Sequence, residues 1–431
     1  MSARPLTAAL LALVCAGARA QAPEPAKPPS AGVALGNELR EGFYSRINVL
    51  AFGVYSDLND NQRFFNYLGF SRSQAEIDFR PDFSLTFRRF DFGLKPRLLY
   101  ARNRIDARFG ERDGTTENRH QGYVNEAYVR FRASENLTAI VSRENLQWGP
   151  SALLSASNPF NPNNGKSNPN VELPGLDYVR LVAVPSPAWT LSLISNYAAG
   201  RLGKDDQLWP SVWTVFPGIP NVAPPVGIDY SALLREPFHK THALKVDYTG
   251  DGYYGSLIAS HRQRGANRLG LFGGWNASEA LLLYAEGSVE REQPEQRGQG
   301  DPKRLLAGGA YTLESGQTLS AEYFHNSSGC TIEPVLVCAG APRSSPRLPL
   351  FRRRYALLQY VDTKLLGSVN LVLRVIRNID DRSTLSTVNL EWEVGEHTQL
   401  YLVPTLATGH DGAEFPNLPK RSVFFGLSYT F

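Results

Sequence analysis

The chain has 431 residues, 42% hydrophobic and 11% aromatic, with 45 basic against 41 acidic side chains. So even a balance creates no field that would hold nucleic acid. A mean hydropathy of −0.28 is too polar for a bundle of membrane helices, and no run after residue 20 reaches the ~18 apolar residues such a helix needs, whereas a barrel exposes half of every strand to water.

In chain order, residues 1–20 read as a signal peptide: Arg4, the apolar run 6–14, then Ala18-Arg19-Ala20 ahead of Gln21. Cys15 leaves with it. Residues 21–40, Pro- and Ala-rich at their start, form a short periplasmic tail that contributes no packed core. Residues 41–431 make up the rest of the protein, a succession of segments of about ten residues with period-two alternation, the length a strand tilted by ~45° needs to cross a bilayer.

The clearest segment spans 76–88, where Ile77, Phe79, Pro81, Phe83, Leu85 and Phe87 alternate with Glu76, Asp78, Arg80, Asp82, Ser84, Thr86 and Arg88. Next, Phe90, Phe92, Leu94, Pro96, Leu98 and Tyr100 oppose Asp91, Lys95 and Arg97. Turn chemistry falls near Arg88-Arg89, Ser134-Glu135-Asn136, Pro185-Ser186-Pro187, Gly250-Asp251-Gly252, Ala277-Ser278-Glu279, Glu314-Ser315-Gly316, Lys364-Leu365-Leu366-Gly367 and Gly395-Glu396-His397. Longer connections lie between these, the longest at 149–175, 199–238 and 327–350, irregular and rich in Pro, Asn or Gly. Short turns on one side and long loops on the other predict a transmembrane antiparallel β-barrel of about 18 strands, with periplasmic turns and extracellular loops. Tyr44, Tyr123, Trp189, Tyr197, Tyr248, Tyr253 and Tyr429 fall near predicted strand ends, where amphipathic rings favour the headgroup region. Cys330 and Cys338, in an oxidising compartment, are expected to close a small disulfide loop.

The final strand reads Val423, Phe425, Leu427, Tyr429, Phe431 and ends the chain. It resembles the C-terminal signature of outer-membrane proteins, which implies the barrel-assembly machinery as a partner and outer-membrane lipid as the surroundings in a Gram-negative cell. So wide a barrel is not filled by its own side chains, which places function in the lumen. The polar strand faces would line it with Arg80, Arg88, Lys95, Arg97, Arg130, Arg132, Arg262, Arg264 and Arg374 beside Glu76, Asp78, Asp82, Glu126, Glu144, Glu286, Glu391 and Glu393. Two arrangements are open: a basic ladder that guides anions, or ion pairs that stiffen a water-filled wall without selecting anything.

Trp148-Gly149-Pro150, followed by Leu153-Leu154-Ser155 and Asn158-Pro159, resembles a stretch of the Wzi capsule-assembly family, barrels that hold surface polysaccharide. The whole also looks like the alginate-export barrels, whose arginine-lined lumen passes an anionic polymer. These resemblances imply a passive port for export of a surface polysaccharide, with a periplasmic export protein and a synthesis machinery as partners. The alternatives are an uptake porin or substrate-specific channel for small polar or anionic solutes, in which 149–175 or 199–238 narrows the pore, and a non-conducting scaffold that retains capsule. His325 and Ser327, with Gly329, loosely resemble a segment of outer-membrane phospholipase A, whose imidazole activates a hydroxyl; the orientation of His325 is ambiguous, and no enzymatic role is assigned. His239, His242, His261 and His410 lack metal-ligand spacing and no phosphate-cradling Gly motif occurs, so neither metal nor cofactor is expected.

Overall fold

The computed structural model describes residues 31–57, 71–105, 114–163, 172–173, 175–200, 238–263, 266–291, 301–331, 350–417 and 419–431. The signal-peptide reading therefore lies outside the described residues. Two compact units divide at residue 43. In the first, residues 31–40 of the expected tail, with residues 41–42 expected to begin the barrel, form helix α1 (Ala31–Gly42), with Arg40 in its last turn, the favourable end for a cation.

The second unit contains eighteen strands. They are β1 (Phe43–Asp57), β2 (Ser71–Phe87), β3 (Phe90–Ile105), β4 (Thr116–Ser134), β5 (Leu137–Glu144), β6 (Leu176–Ser186), β7 (Trp189–Ala198), β8 (Thr241–Thr249) and β9 (Tyr253–Arg262) in the first half. The second half runs β10 (Ala266–Asn276), β11 (Leu281–Glu290), β12 (Lys303–Thr312), β13 (Thr318–Asn326), β14 (Arg354–Leu365), β15 (Val369–Asn378), β16 (Thr384–Glu393), β17 (Thr398–Thr408) and β18 (Arg421–Thr430). Successive strands pair, and β1 pairs both with β2 and, antiparallel, with β18 from Asn48↔Thr430 to Asp57↔Arg421. Closure removes the exposed edges an open sheet would present.

Register follows from the alternation. Between β10 and β11, Leu269↔Val289 and Leu271↔Gly287 stand on the outer face, while Arg268↔Glu290, Gly270↔Ser288 and Phe272↔Glu286 face inward. A slip of one residue would turn every charge toward lipid, so the two solvents fix the register. All eight expected turns join strand pairs, from Arg88-Arg89 to the connection between Glu393 and Thr398. At that end Trp189 packs edge-on against Tyr248, which stacks on Tyr253, with centroid separations of 4.8 and 5.6 Å, as an interfacial girdle does. Tyr123 departs from that expectation: it lies mid-strand in β4, opposite Arg97.

Strands β5–β18 have 8 to 12 residues, close to the expected ten, but β1–β4 have 15, 17, 16 and 19. Because the turns are short, the excess extends the first wall at the loop end. In β4 the alternation slips by one: Lys95 pairs with Glu126 but Pro96 with Val124, so Asn125 is a bulge. A bulge re-aims a side chain, and here it buries Asn125 against the loop described next.

Candidate functional site

After β5 the chain turns into the barrel. Residues 145–163 cross to β10, β11 and β13, the last lying eight strands from β5 in a ring of eighteen. Leu153, Leu154 and Ala156 are fully buried in a cluster with Tyr284, Leu306, Phe324, Leu357 and Phe415. Each large apolar side chain buried this way contributes roughly 1.5–3 kcal/mol. Nearer its origin, the loop packs Phe160 edge-on against Tyr178 at 5.2 Å and Trp148 at 6.0 Å, while Lys245 Nζ lies 5.5 Å above the Trp148 ring.

An irregular segment inside a barrel must find partners for its backbone N–H groups. Two wall carboxylates supply them. Glu322 on β13 accepts hydrogen bonds from Ala152 N at 2.6 Å, Leu153 N at 3.1 Å, Ser151 Oγ at 2.8 Å and Tyr284 Oη at 2.6 Å. Glu286 on β11 accepts from Ser157 N at 2.8 Å, Ser157 Oγ at 2.7 Å and Ser155 Oγ at 2.5 Å. Arg268 and Ser288 both donate to the Ala156 carbonyl. At Gly270 the wall carries no side chain, and an added Cβ would sit 2.8 Å from the Ser157 carbonyl oxygen. Gly149 has φ +86°, and a Cβ there would collide with the Glu286 carboxylate.

These contacts give the Trp148 segment its role. Trp148 Nε1 donates to Ser157 Oγ at 3.2 Å, bridging the loop's two arms. Asn158 donates to the Leu146 carbonyl and accepts from Phe160 N and Asn161 N. Gly149 admits the carboxylate and Pro150 continues the turn. The motif is a latch for a lumen-crossing loop.

The returning arm anchors elsewhere. Glu172 receives two hydrogen bonds from Arg97 at 2.6 and 2.7 Å, and Arg97, 1% exposed, also donates to Asp82 at 2.8 Å and to the Pro81 and Pro96 carbonyls. Asn125 Nδ2 donates to the Leu173 carbonyl. Three further connections, β13–β14, β15–β16 and β17–β18, close on one another. Glu414, buried between β17 and β18, accepts from Phe351 N, Tyr355 Oη and Asn378 Nδ2. Asp381 accepts from Glu414 N and pairs with Arg352 at 3.3 Å. Burial pushes the Glu414 carboxyl up to about 7.

The other expected lumen charges are mostly found in pairs: Arg80 with Asp78, Lys95 with Glu126, Arg132 and Arg130 with Asp91, Arg262 with Glu290, and Arg180 with Glu144. Arg374 donates to Gln359 and Arg130 also covers the Tyr128 ring. Arg88 stands in the β2–β3 turn with φ +54° and covers Phe87, not the lumen wall, because the hairpin reverses there. Arg264 lies outside the described residues. Glu322 was missed by sequence reasoning, though its signal was present: it alternates with Leu319, Ala321 and Tyr323 on the outer face. His325 shares that outer face, opposite Leu305 and Arg354, while Ser327 Oγ caps Lys303 N. Cys330 is disulfide-bonded; Cys338 lies outside the described residues. Phe425, Leu427 and Tyr429 lie on the outer face of β18, and Tyr429 packs edge-on against Phe431 at 4.7 Å. Among the described residues no cluster of His, Cys, Asp and Glu has the form of a metal site.

No protein-family model matches the chain, and no curated protein matches it. Solved structures do. The chain is similar to Pseudomonas aeruginosa OccK5 (OpdH), at 13% identity and TM-score 0.56 over 91% of this chain and 98% of that one. It is similar to a BenF-like porin from Pseudomonas fluorescens Pf-5, at 11% identity and TM-score 0.55 over 91% and 99%. Acinetobacter baumannii OccAB3 follows at 10% identity and TM-score 0.53 over 91% and 99%. These likenesses run the length of the barrel and overturn the expected kinship with Wzi barrels, which rested on the short Trp148 segment, and with alginate-export barrels, which rested on strand number and an arginine-lined lumen. The chain has the fold of outer-membrane barrels of the porin type.

Proposed function

We propose that the chain is a passive uptake channel in the outer membrane of a Gram-negative bacterium, for small polar solutes, anionic ones among them. The observation that carries this reading is the loop at 145–163, which crosses the lumen and docks on β10–β13. A port for a polysaccharide needs an unobstructed bore, whereas a loop fixed across it leaves a passage suited to monomers. The paired arginines support selection by exchange. A solute carboxylate can replace Glu126 or Asp91 at a guanidinium or ammonium partner, and the displaced side chain can retake it, so binding is weak enough to release. The likeness to a BenF-like porin supports the same reading.

The test is reconstitution in planar bilayers and liposomes. Single-channel conductance, with swelling in small carboxylates and amino acids but not in oligosaccharides of increasing length, is the expected result. Passage of long oligosaccharides, or no conductance from the native protein, would overturn it.

A further inference from the structure

On its outer face, toward the loop end, the barrel carries a groove of about 1020 Å³ across β5–β11. Its floor is apolar. Leu181, Leu193, Leu244, Leu269 and Val289 form ridges, and the small side chains of Ala139 and Ala259 leave the hollow between them. Above the floor runs a polar row, one residue per strand. Ser195 pairs across strands with His242, His242 with His261, and His261 with Asn267, whose carbonyl accepts from Arg291 N at 2.8 Å. The side chains touch along the row: Ser195 Oγ lies 3.0 Å from His242 Nδ1, and His261 Nδ1 lies 2.8 Å from Asn267 Oδ1.

Alternation alone does not require this row. Lipid-facing positions of a barrel are apolar through the hydrocarbon band, and polar groups mark where headgroups begin. Here the boundary carries donors and cations. Among the described residues, Arg291 and one carboxylate, Asp301, line the groove, and Lys240 and Lys303 are exposed close in sequence to its residues His242 and Asp301. The row spans four strand intervals, ~19 Å at the usual strand spacing. That is wide enough for several acyl chains side by side, more than the two of a glycerophospholipid.

We infer that this groove seats a phosphorylated, multiply acylated glycolipid of the outer leaflet, a lipopolysaccharide. Its acyl chains lie along Leu181, Leu193, Leu244 and Leu269, and His242, His261 and Arg291 hold its phosphate. The site rests on the barrel's place in an outer membrane and is independent of what the lumen passes.

The experiment uses the full-length barrel in detergent, loaded with bisphosphorylated hexa-acyl lipopolysaccharide, its enzymatically dephosphorylated form, or phosphatidylglycerol, and read by native mass spectrometry. The native protein is expected to retain the bisphosphorylated lipid at least tenfold more than either of the others. Two variants should lose that retention while keeping native heat-modifiable migration and conductance: His242→Ala/His261→Ala/Arg291→Ala, which strips the phosphate contacts, and Ala259→Trp, which fills the floor. Equal retention of phosphatidylglycerol would reduce the groove to general anionic-lipid contact and overturn the assignment. So would undiminished retention by both folded variants. Loss of conductance in the native protein would count against the uptake reading and leave the lipid result standing.

Discussion

The two walls of this barrel hold charge in opposite ways. On β10–β13 the inward carboxylates Glu286 and Glu322 are buried under the crossing loop and accept its N–H and hydroxyl groups. On β2–β4 the carboxylates Asp78, Asp91 and Glu126 pair with arginine or lysine on the wall itself. The first wall uses charge to hold irregular backbone where water is excluded. On the second, Asp78 is buried against Arg80, but Lys95, Glu126, Arg130 and Arg132 remain partly exposed, where an ion pair is worth little and exchanges readily. A buried carboxylate surrounded by donors fixes structure, and a solvated pair remains available to a solute.

That contrast can be broken in order of expected effect. Replacing both latch carboxylates, as Glu286→Ala/Glu322→Ala, strands the backbone N–H groups of Ala152 and Ser157 at about 1–3 kcal/mol each. The loop should leave the lumen, with larger single-channel conductance and a higher size cutoff in liposome swelling. Unchanged conductance would mean that apolar packing alone holds the loop. Arg97→Met leaves Glu172 without its bidentate partner, and breaking a buried pair costs ~3–5 kcal/mol. Its effect is confined to the returning arm, so proteolysis between the β5 and β6 strands should accelerate while the latch on β10–β13 persists.

A third test uses pH. Docking of the β13–β14 and β17–β18 loops raises the Glu414 carboxyl from its ordinary 4.5 to about 7. A group whose pKa rises on docking binds its proton more tightly in the docked state, so docking is strongest below pH 4.5, weakens as pH rises toward 7, and changes little above that. Amide exchange at Phe351 and Glu414 should therefore be slower at pH 5 than at pH 8 after correction for intrinsic rates. Glu414→Gln should abolish the difference. The smallest effect belongs to Lys95→Met: Lys95 and Glu126 are 39% and 25% exposed, and such a pair contributes ~0–1 kcal/mol. Thermal stability should hardly move, while anion over cation selectivity, read from reversal potentials, should fall. A large loss of stability would place this pair with the buried latch instead.

The sequence by itself determined the barrel. Period-two alternation, eight turns and a terminal strand ending in Phe431 specify strand number and which side chains face lipid, because each residue meets one of two immiscible solvents and the preference is local. Composition did not reveal helix α1, since the Pro-rich start of the tail masked the Gly-Asn-Glu-Leu-Arg stretch that follows. The candidate site was legible only as an unusual stretch: Trp148, Gly149, Pro150 and Asn158 stood out, but the polysaccharide role read into them did not survive. The wall carboxylates that hold the loop at Leu153 and Ser157, Glu322 and Glu286, lie more than 120 residues away. Only closure of the ring brings β11 and β13 opposite β5. The direction of the loop, the bulge at Asn125 and the pairing of each lumen charge were decided by tertiary structure, because each depends on groups that share a wall or face each other across the lumen, and no local pattern encodes that distance.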